Sequence, residues 1–165
     1  MAFNFRAAED SDSAPIIKII GACYALYDNC ILDVDLEEPE LRAPKTLFAQ
    51  KGKTMWVMER DAKVVGCVGL SDPDYQTGEQ ELLKLYLDPA EHGQGFGKEL
   101  AGFAIKTAVE LQCRKLVLWT DTRFKTAHKL YESFGFVRGD ETRDLNDISN
   151  TSEYFYSLNL EPAHV

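Results

Sequence analysis

The spacing of apolar positions switches repeatedly between two residues and three to four, and each switch predicts a new element. Phe3-Asn4-Phe5-Arg6 alternates and reads as a short strand. Ser11, Asp12 and Ser13 offer helix N-caps ahead of Pro15, and Ile16, Ile19, Ile20, Cys23 and Leu26-Tyr27 follow at helical spacing. Residues 28–52 are acidic first, then mixed, with Pro39 and Pro44 interrupting them; a second short helix is expected within 39–50. Residues 54–59 (TMWVME) and 63–71 (KVVGCVGLS), joined by Arg60-Asp61-Ala62, form a hairpin pattern. Residues 79–87 (EQELLKLYL) make another strand, stopped by Asp88-Pro89. Leu100, Phe103, Ala104, Thr107, Ala108 and Leu111 return to helical spacing, and residues 115–119 (KLVLW) to strand. Ala127, Leu130, Tyr131 and Phe134 form one helical stripe ended by Gly135. Phe136-Val137 and residues 153–160 (EYFYSLNL) are the last strands, around a polar loop at 138–151. The order β-α-α-β-β-β-α-β-α-β-β describes an α/β or α+β fold with a mixed sheet, one domain over residues 1–165.

Composition narrows the function. The chain has 165 residues, 45% hydrophobic and 27% charged, which suits a globular domain with one sizeable core. A formal net charge of −9 argues against nucleic acid, whose phosphates require a basic face. It is compatible with a cationic small substrate and equally with plain solubility. The four cysteines, Cys23, Cys30, Cys67 and Cys113, form no C-x-x-C pair, so no metal is expected and reduced thiols are the simplest state. No apolar signal region opens the chain and no apolar run reaches about 18 residues; no membrane and a cytoplasmic location are the default expectation.

Three glycines at alternate positions, Gly93, Gly95 and Gly97, stand just before a helix. Each costs backbone entropy on ordering, so something must need a close approach to the backbone. The first N–H groups of a helix lack internal partners, and the dipole adds roughly half a positive charge there. Strand, glycine loop and helix therefore suit an anion. The P-loop pattern fails, because Gly97-Lys98 is followed by Glu99 and His92 stands where its first glycine belongs. The dinucleotide pattern G-x-G-x-x-G fails at Lys98. A glycine turn without a ligand remains open on these residues alone.

His92-Gly93-Gln94-Gly95-Phe96-Gly97 resembles the Gln/Arg-x-x-Gly-x-Gly/Ala motif of the GNAT N-acetyltransferase superfamily, except at its first position. Ala127, Leu130, Tyr131, Gly135 and Phe136 match that superfamily's Ala-x-x-Leu-Tyr-x-x-x-Gly-Phe pattern. The close resemblance covers residues 79–137; the N-terminal half agrees in element order only. It implies a twisted mixed sheet of about seven strands with about four helices, its fourth and fifth strands splayed around acetyl-CoA. The backbone of Leu85, Tyr86 and Leu87 would then pair with the pantetheine arm. The N–H groups of Gly93, Gln94, Gly95, Phe96 and Gly97 would hold the pyrophosphate, with His92 beside them and Lys98 as an extra contact. Two departures stand out. His92 brings no fixed charge if neutral. Phe124 occupies the place of an asparagine that many members use on the cofactor.

The resemblance implies an acetyl-CoA-dependent N-acetyltransferase acting on a primary amine of a small molecule, such as a polyamine, amino acid or aminated metabolite. A protein N-terminus or lysine as acceptor, and a non-catalytic acyl-CoA-binding regulator, are the alternatives. Glu81 would be the base and Tyr131 the acid that protonates the departing thiolate, with a backbone N–H near Tyr86 facing the thioester oxygen. On residues alone, Glu81 equally suits a strand surface and Tyr131 a core stripe. His92 and His128 are other candidate bases, His128 being expected at the surface; His164 is assigned nothing. The acceptor pocket is expected between the first two helices, where Tyr24, Tyr27, Asp28, Asp33, Asp35, Glu37 and Glu38 offer aromatics and carboxylates to a cation; Tyr27 and Asp28 are the chosen contacts. A homodimer is left open.

Overall fold

The computed structural model describes residues 2–160, so His164 lies outside the described residues. Seven strands form one sheet in the order β1-β2-β3-β4-β5-β7-β6. They are β1 (Phe3–Ala7), β2 (Lys53–Arg60), β3 (Lys63–Ser71), β4 (Glu79–Leu87), β5 (Lys115–Asp121), β6 (Val137–Asp144) and β7 (Ser152–Asn159). Every neighbouring pair is antiparallel except β4 with β5. The α-helices are α1 (Ser13–Tyr24), α2 (Val34–Glu37), α3 (Thr46–Gln50), α4 (Phe96–Glu110) and α5 (Lys125–Ser133). Five helices stand where about four were expected, because residues 28–52 break into α2, a 3-10 turn Pro39–Arg42 and α3 rather than one helix. Pro39 and Pro44 each forbid continuation.

The two faces of the sheet bury separate apolar clusters. Ile16 and Ile20 of α1 meet Phe48 of α3 and Met55, Val57 and Cys67 on one face. Leu100, Ala104 and Ala108 of α4 and Tyr131 of α5 meet Met58, Val68, Leu70 and Leu118 on the other. Strand β3 is central and covered on both faces, which is why its sequence is nearly continuous in apolar residues. The β2–β3 turn places Asp61 and Ala62 at φ 52° and 62°, the two left-handed residues that a two-residue hairpin turn requires.

Two expectations are corrected here. Residues 138–144 belong to strand β6 rather than to a loop. Their sequence carries no apolar alternation because β6 is an edge strand wet on both faces. Its support is backbone pairing to β7 and two stacked guanidiniums, Arg138 over Tyr154 (4.1 Å) and Arg143 over Trp119 (4.2 Å). His128 is buried, not exposed. Its Nε2–H donates to Asp121 O at 2.9 Å, and its ring lies 5.5 Å from that of Tyr154. Burial lowers its pKa, so the imidazole is neutral.

Asp12 begins α1 and ties it to β1. Arg6 donates to both its oxygens (2.8 and 2.9 Å), and the Glu9 amide donates at 2.7 Å. The Arg6 hydrogen bond, above all, holds the Asp12 carboxyl below its ordinary value. A depressed carboxyl contributes stability above the unfolded value of about 3.9, lost as pH falls through the folded value. Asp12→Asn is expected to lower stability by about 1–3 kcal/mol at pH 7. Urea midpoints of the two proteins should converge as the pH drops below that window.

Candidate active site

Strands β4 and β5 pair only at Glu79–Lys115, Gln80–Leu116 and Glu81–Val117, then part. The parting leaves the second half of β4 without a neighbour on that side. It follows a β-bulge: Cys67 faces Tyr86 and Gly69 faces Leu83, so Val68 alone opposes both Lys84 and Leu85. Lys84 takes the left-handed conformation there, φ 54°. After the bulge the Asp88 amide donates to Val65 O at 2.8 Å, so by alternation the Tyr86 amide faces β3 and the Leu87 amide faces the gap. Leu87 is thus better placed than Tyr86 to offer a backbone donor to the gap.

The gap opens onto the start of α4. Gly95 is the N-cap, at φ 86°, and no side chain caps the helix. Gly93 is also left-handed, at φ 80°. A Cβ added to either would meet nothing within 4 Å. The start of α4 therefore has no capping side chain, and the backbone just before it at Gly93 and Gly95 borders open space. That arrangement fits an anion held by backbone N–H groups. His92 turns away from it, its Nε2–H donating to Leu87 O at 2.9 Å, and so ties the loop to the end of β4. Phe96 contributes only backbone: its ring is buried under the Arg60 guanidinium (5.1 Å) and edge-on to Phe3. Gln94 and Lys98 are exposed, and of the two only Lys98 lines the cavity described next.

One cavity of about 790 Å³ joins the loop, the gap and the segment after α1. Glu81, Leu85, Tyr86, Leu87, His92, Gly93, Gly95, Gly97 and Tyr131 all line it. Glu81 is half-buried, and burial pushes its carboxyl up, with Lys53 and Arg143 pulling the other way. Tyr131 is 6% exposed and its hydroxyl makes no hydrogen bond to another described residue. Its ring sits 5.7 Å from Phe136 and 6.2 Å from Tyr156. Burial raises its pKa far above that of a free phenol. Tyr24 and Tyr86 face each other across the cavity, hydroxyls 3.4 Å apart, and burial pushes Tyr24 up to about 12.

On the acceptor side, Tyr27 lines the cavity and packs on Phe124, ring centroids 4.9 Å apart. Asp28 does not: it is exposed and outside the lining. Asp35 is spent on Arg42 at the surface. Glu37 and Glu38 do line the cavity. The missed residue is Lys84, whose ammonium is ion-paired with Glu38 inside the cavity. A lone lysine within the apolar run LLKLYL was the available signal. Among the described residues, no helix is long and apolar enough to cross a membrane.

The profile of the acetyltransferase (GNAT) family matches residues 20–136. The uncharacterized N-acetyltransferase YjgM of Escherichia coli K12 is 32% identical over 131 residues, 77% of this chain and 75% of that protein. N-acetylaspartate synthetase of Danio rerio is 32% identical over 118 residues, 72% of this chain but 40% of the relative. The chain likewise spans less than half of human N-acetyltransferase 8, at 43%. Among solved structures, an acetyltransferase of the GNAT family from Staphylococcus aureus Mu50 superposes with a TM-score of 0.78 at 24% identity, covering 97% of this chain and all of the other. The putative acetyltransferase yncA of Salmonella typhimurium, solved with acetyl-CoA, gives 0.70 at 19%, covering 100% and 98%.

Proposed function

This chain belongs to the acetyltransferase (GNAT) family, and we propose that it moves an acetyl group from acetyl-CoA to the primary amine of a small molecule. The observation that carries this reading is a single cavity. It joins an uncapped helix start behind Gly93 and Gly95, an unpaired strand edge at Leu87, and the side chains of Glu81 and Tyr131. The backbone from Gly93 to Gly97 would hold the pyrophosphate and the outer edge of β4 the pantetheine arm; the thioester supplies an activated acyl group.

The residues of the chain account for the rest. An alkylammonium has a pKa of about 10.4, so freeing its lone pair at pH 7 costs about 4–5 kcal/mol. Glu81 takes that proton, directly or through water, and burial gives it the proton affinity to do so. The Leu87 amide faces the side from which a developing oxyanion would draw a hydrogen bond. Tyr131 gives its phenolic proton to the departing sulfur as the C–N bond forms and the C–S bond breaks. The second amine proton then restores the phenol, and one proton leaves overall. Tyr24, Tyr27 and Phe124 give the acceptor side an aromatic wall suited to a cationic amine.

The test is release of CoA thiol from acetyl-CoA across polyamines, amino acids and aminated metabolites, with and without protein. Amine-dependent release is expected; none with any amine would overturn the reading. Where an amine turns over, Glu81→Gln is expected to lower kcat/KM about tenfold or more. The sign of the pH effect is fixed by the base role. Wild-type activity falls as pH drops through the raised Glu81 value, and the variant should lose that acid limb.

A further inference from the structure

We propose that Glu38 receives the acceptor amine in the cavity and that Lys84 holds Glu38 in place as a carboxylate, so that this ion pair positions the nucleophile beside Glu81. The inference rests on the acetyl-transfer reading above and assigns its acceptor contact.

Glu38 stands where α2 ends and the 3-10 turn Pro39–Arg42 begins. One carboxylate oxygen, Oε1, is paired with Lys84 Nζ. The other, Oε2, is buried and has no hydrogen-bond partner among the described residues. Neighbouring carboxylates on the same wall are engaged. Glu37 accepts the Ile148 amide at 2.9 Å, and Asp33 accepts the Leu36 amide at 3.0 Å. Asp147 accepts the amide and hydroxyl of Thr151, both at 2.7 Å. Glu40 pairs with Lys51 and Asp121 with Arg123. Glu38 Oε2 is therefore the oxygen on this wall to which a donor is still owed. A carboxylate oxygen buried without one carries a desolvation penalty, which an arriving N–H recovers.

The choice of partner for Glu38 is informative. Lys84 reaches it from the bulge of β4, in a left-handed conformation that is unfavourable for a residue with a Cβ. Strain of that kind persists where surrounding structure has a use for it. Burial pushes the Lys84 ammonium down to about 8, while the Glu153 carboxylate pulls the other way. Glu38, Lys84 and Glu81 line the same cavity, together with Glu153. The pair has no net charge, so it offers a hydrogen-bond acceptor without a net pull on the ammonium proton. A primary amine fits this division: one N–H goes to Glu38 Oε2, and another proton is left for Glu81.

The experiment is steady-state kinetics of Glu38→Gln and of the double variant Glu38→Leu/Lys84→Met, with a primary amine that the wild type accepts. Each should raise the acceptor KM about tenfold or more, with kcat within about threefold. Acetyl-CoA affinity, measured by calorimetry, should stay within about twofold. The double variant replaces both charges by apolar groups of similar size, so its urea midpoint should match or exceed wild type, separating binding from folding. An acceptor KM within twofold of wild type in either folded variant would overturn the inference while leaving acetyl transfer intact. Absence of wild-type turnover with every amine would remove the reaction and this inference together.

Discussion

Tyr131→Phe is expected to lower kcat about a hundredfold while leaving acetyl-CoA affinity within about twofold, the size of effect typical of a positioned general acid. In free energy that is about 2.7 kcal/mol of barrier. The prediction follows from what Tyr131 touches. Its ring is packed between Phe136 and Tyr156 on the core side of α5. Its hydroxyl makes no hydrogen bond to another described residue, although Tyr131 is only 6% exposed. A tyrosine placed there for packing would ordinarily find a partner for its O–H. Tyr156, on the neighbouring strand, does: it donates to Glu132 at 2.7 Å. Burial also keeps Tyr131 protonated throughout the neutral range, the state an acid must be in before it acts. Phenylalanine keeps the ring contacts and removes one oxygen, so the melting temperature should hold or rise slightly. Pre-steady-state measurement of thiol release reads the chemical step directly. An unchanged rate in a folded variant would assign the tyrosine to the core and leave sulfur to be protonated by solvent.

Legibility in the sequence followed apolar contrast. Strands β3 and β4 were readable end to end, because each is an apolar run closed by turn residues such as Ser71-Asp72-Pro73 and Asp88-Pro89. The glycine loop was readable because flexible residues before a helix demand a reason, and the structure gives Gly93 and Gly95 left-handed backbones over open space. Strand β6 was not, since VRGDETRD has two wet faces and is held by its neighbour's backbone. His128 sits one residue off the apolar stripe of α5; its burial comes from Tyr154 and Tyr156, residues of a strand more than twenty positions away. Lys84 was hidden by the bulge, which breaks the two-residue alternation at that point. The partner of Glu38 was hidden by distance along the chain, as 46 residues separate a loop carboxylate from a strand lysine, Glu38 to Lys84. Contacts of that kind belong to the folded surface, and no local period carries them.

Gly95→Ala separates the cofactor's claim on the glycine loop from the loop's own structural needs. The substitution is expected to weaken acetyl-CoA binding about ten- to a hundredfold while costing the fold about 1–2 kcal/mol. The stability cost comes from placing a Cβ at φ 86° and amounts to roughly 2–8 °C in a chain of this size. No packing penalty adds to it, because the new methyl meets nothing within 4 Å. That same open space is where an anion must lie to reach the uncapped amides of α4, so the methyl competes with the ligand rather than with the protein. Charge-assisted hydrogen bonds to phosphate are short and lose strength quickly when the anion is held off. Gly52→Ala is the matched control: Gly52 is also left-handed, at φ 68°, with Asp72 as its nearest contact and no place in the cavity lining. It should lose comparable stability and keep full affinity. Calorimetric titration of both variants with acetyl-CoA distinguishes the cases. A selective loss in Gly95→Ala puts the pyrophosphate on the start of α4. Equal affinities would mean that Gly93 and Gly95 serve only the turn out of β4, and the anion would have to be sought along the Lys98 side of the cavity.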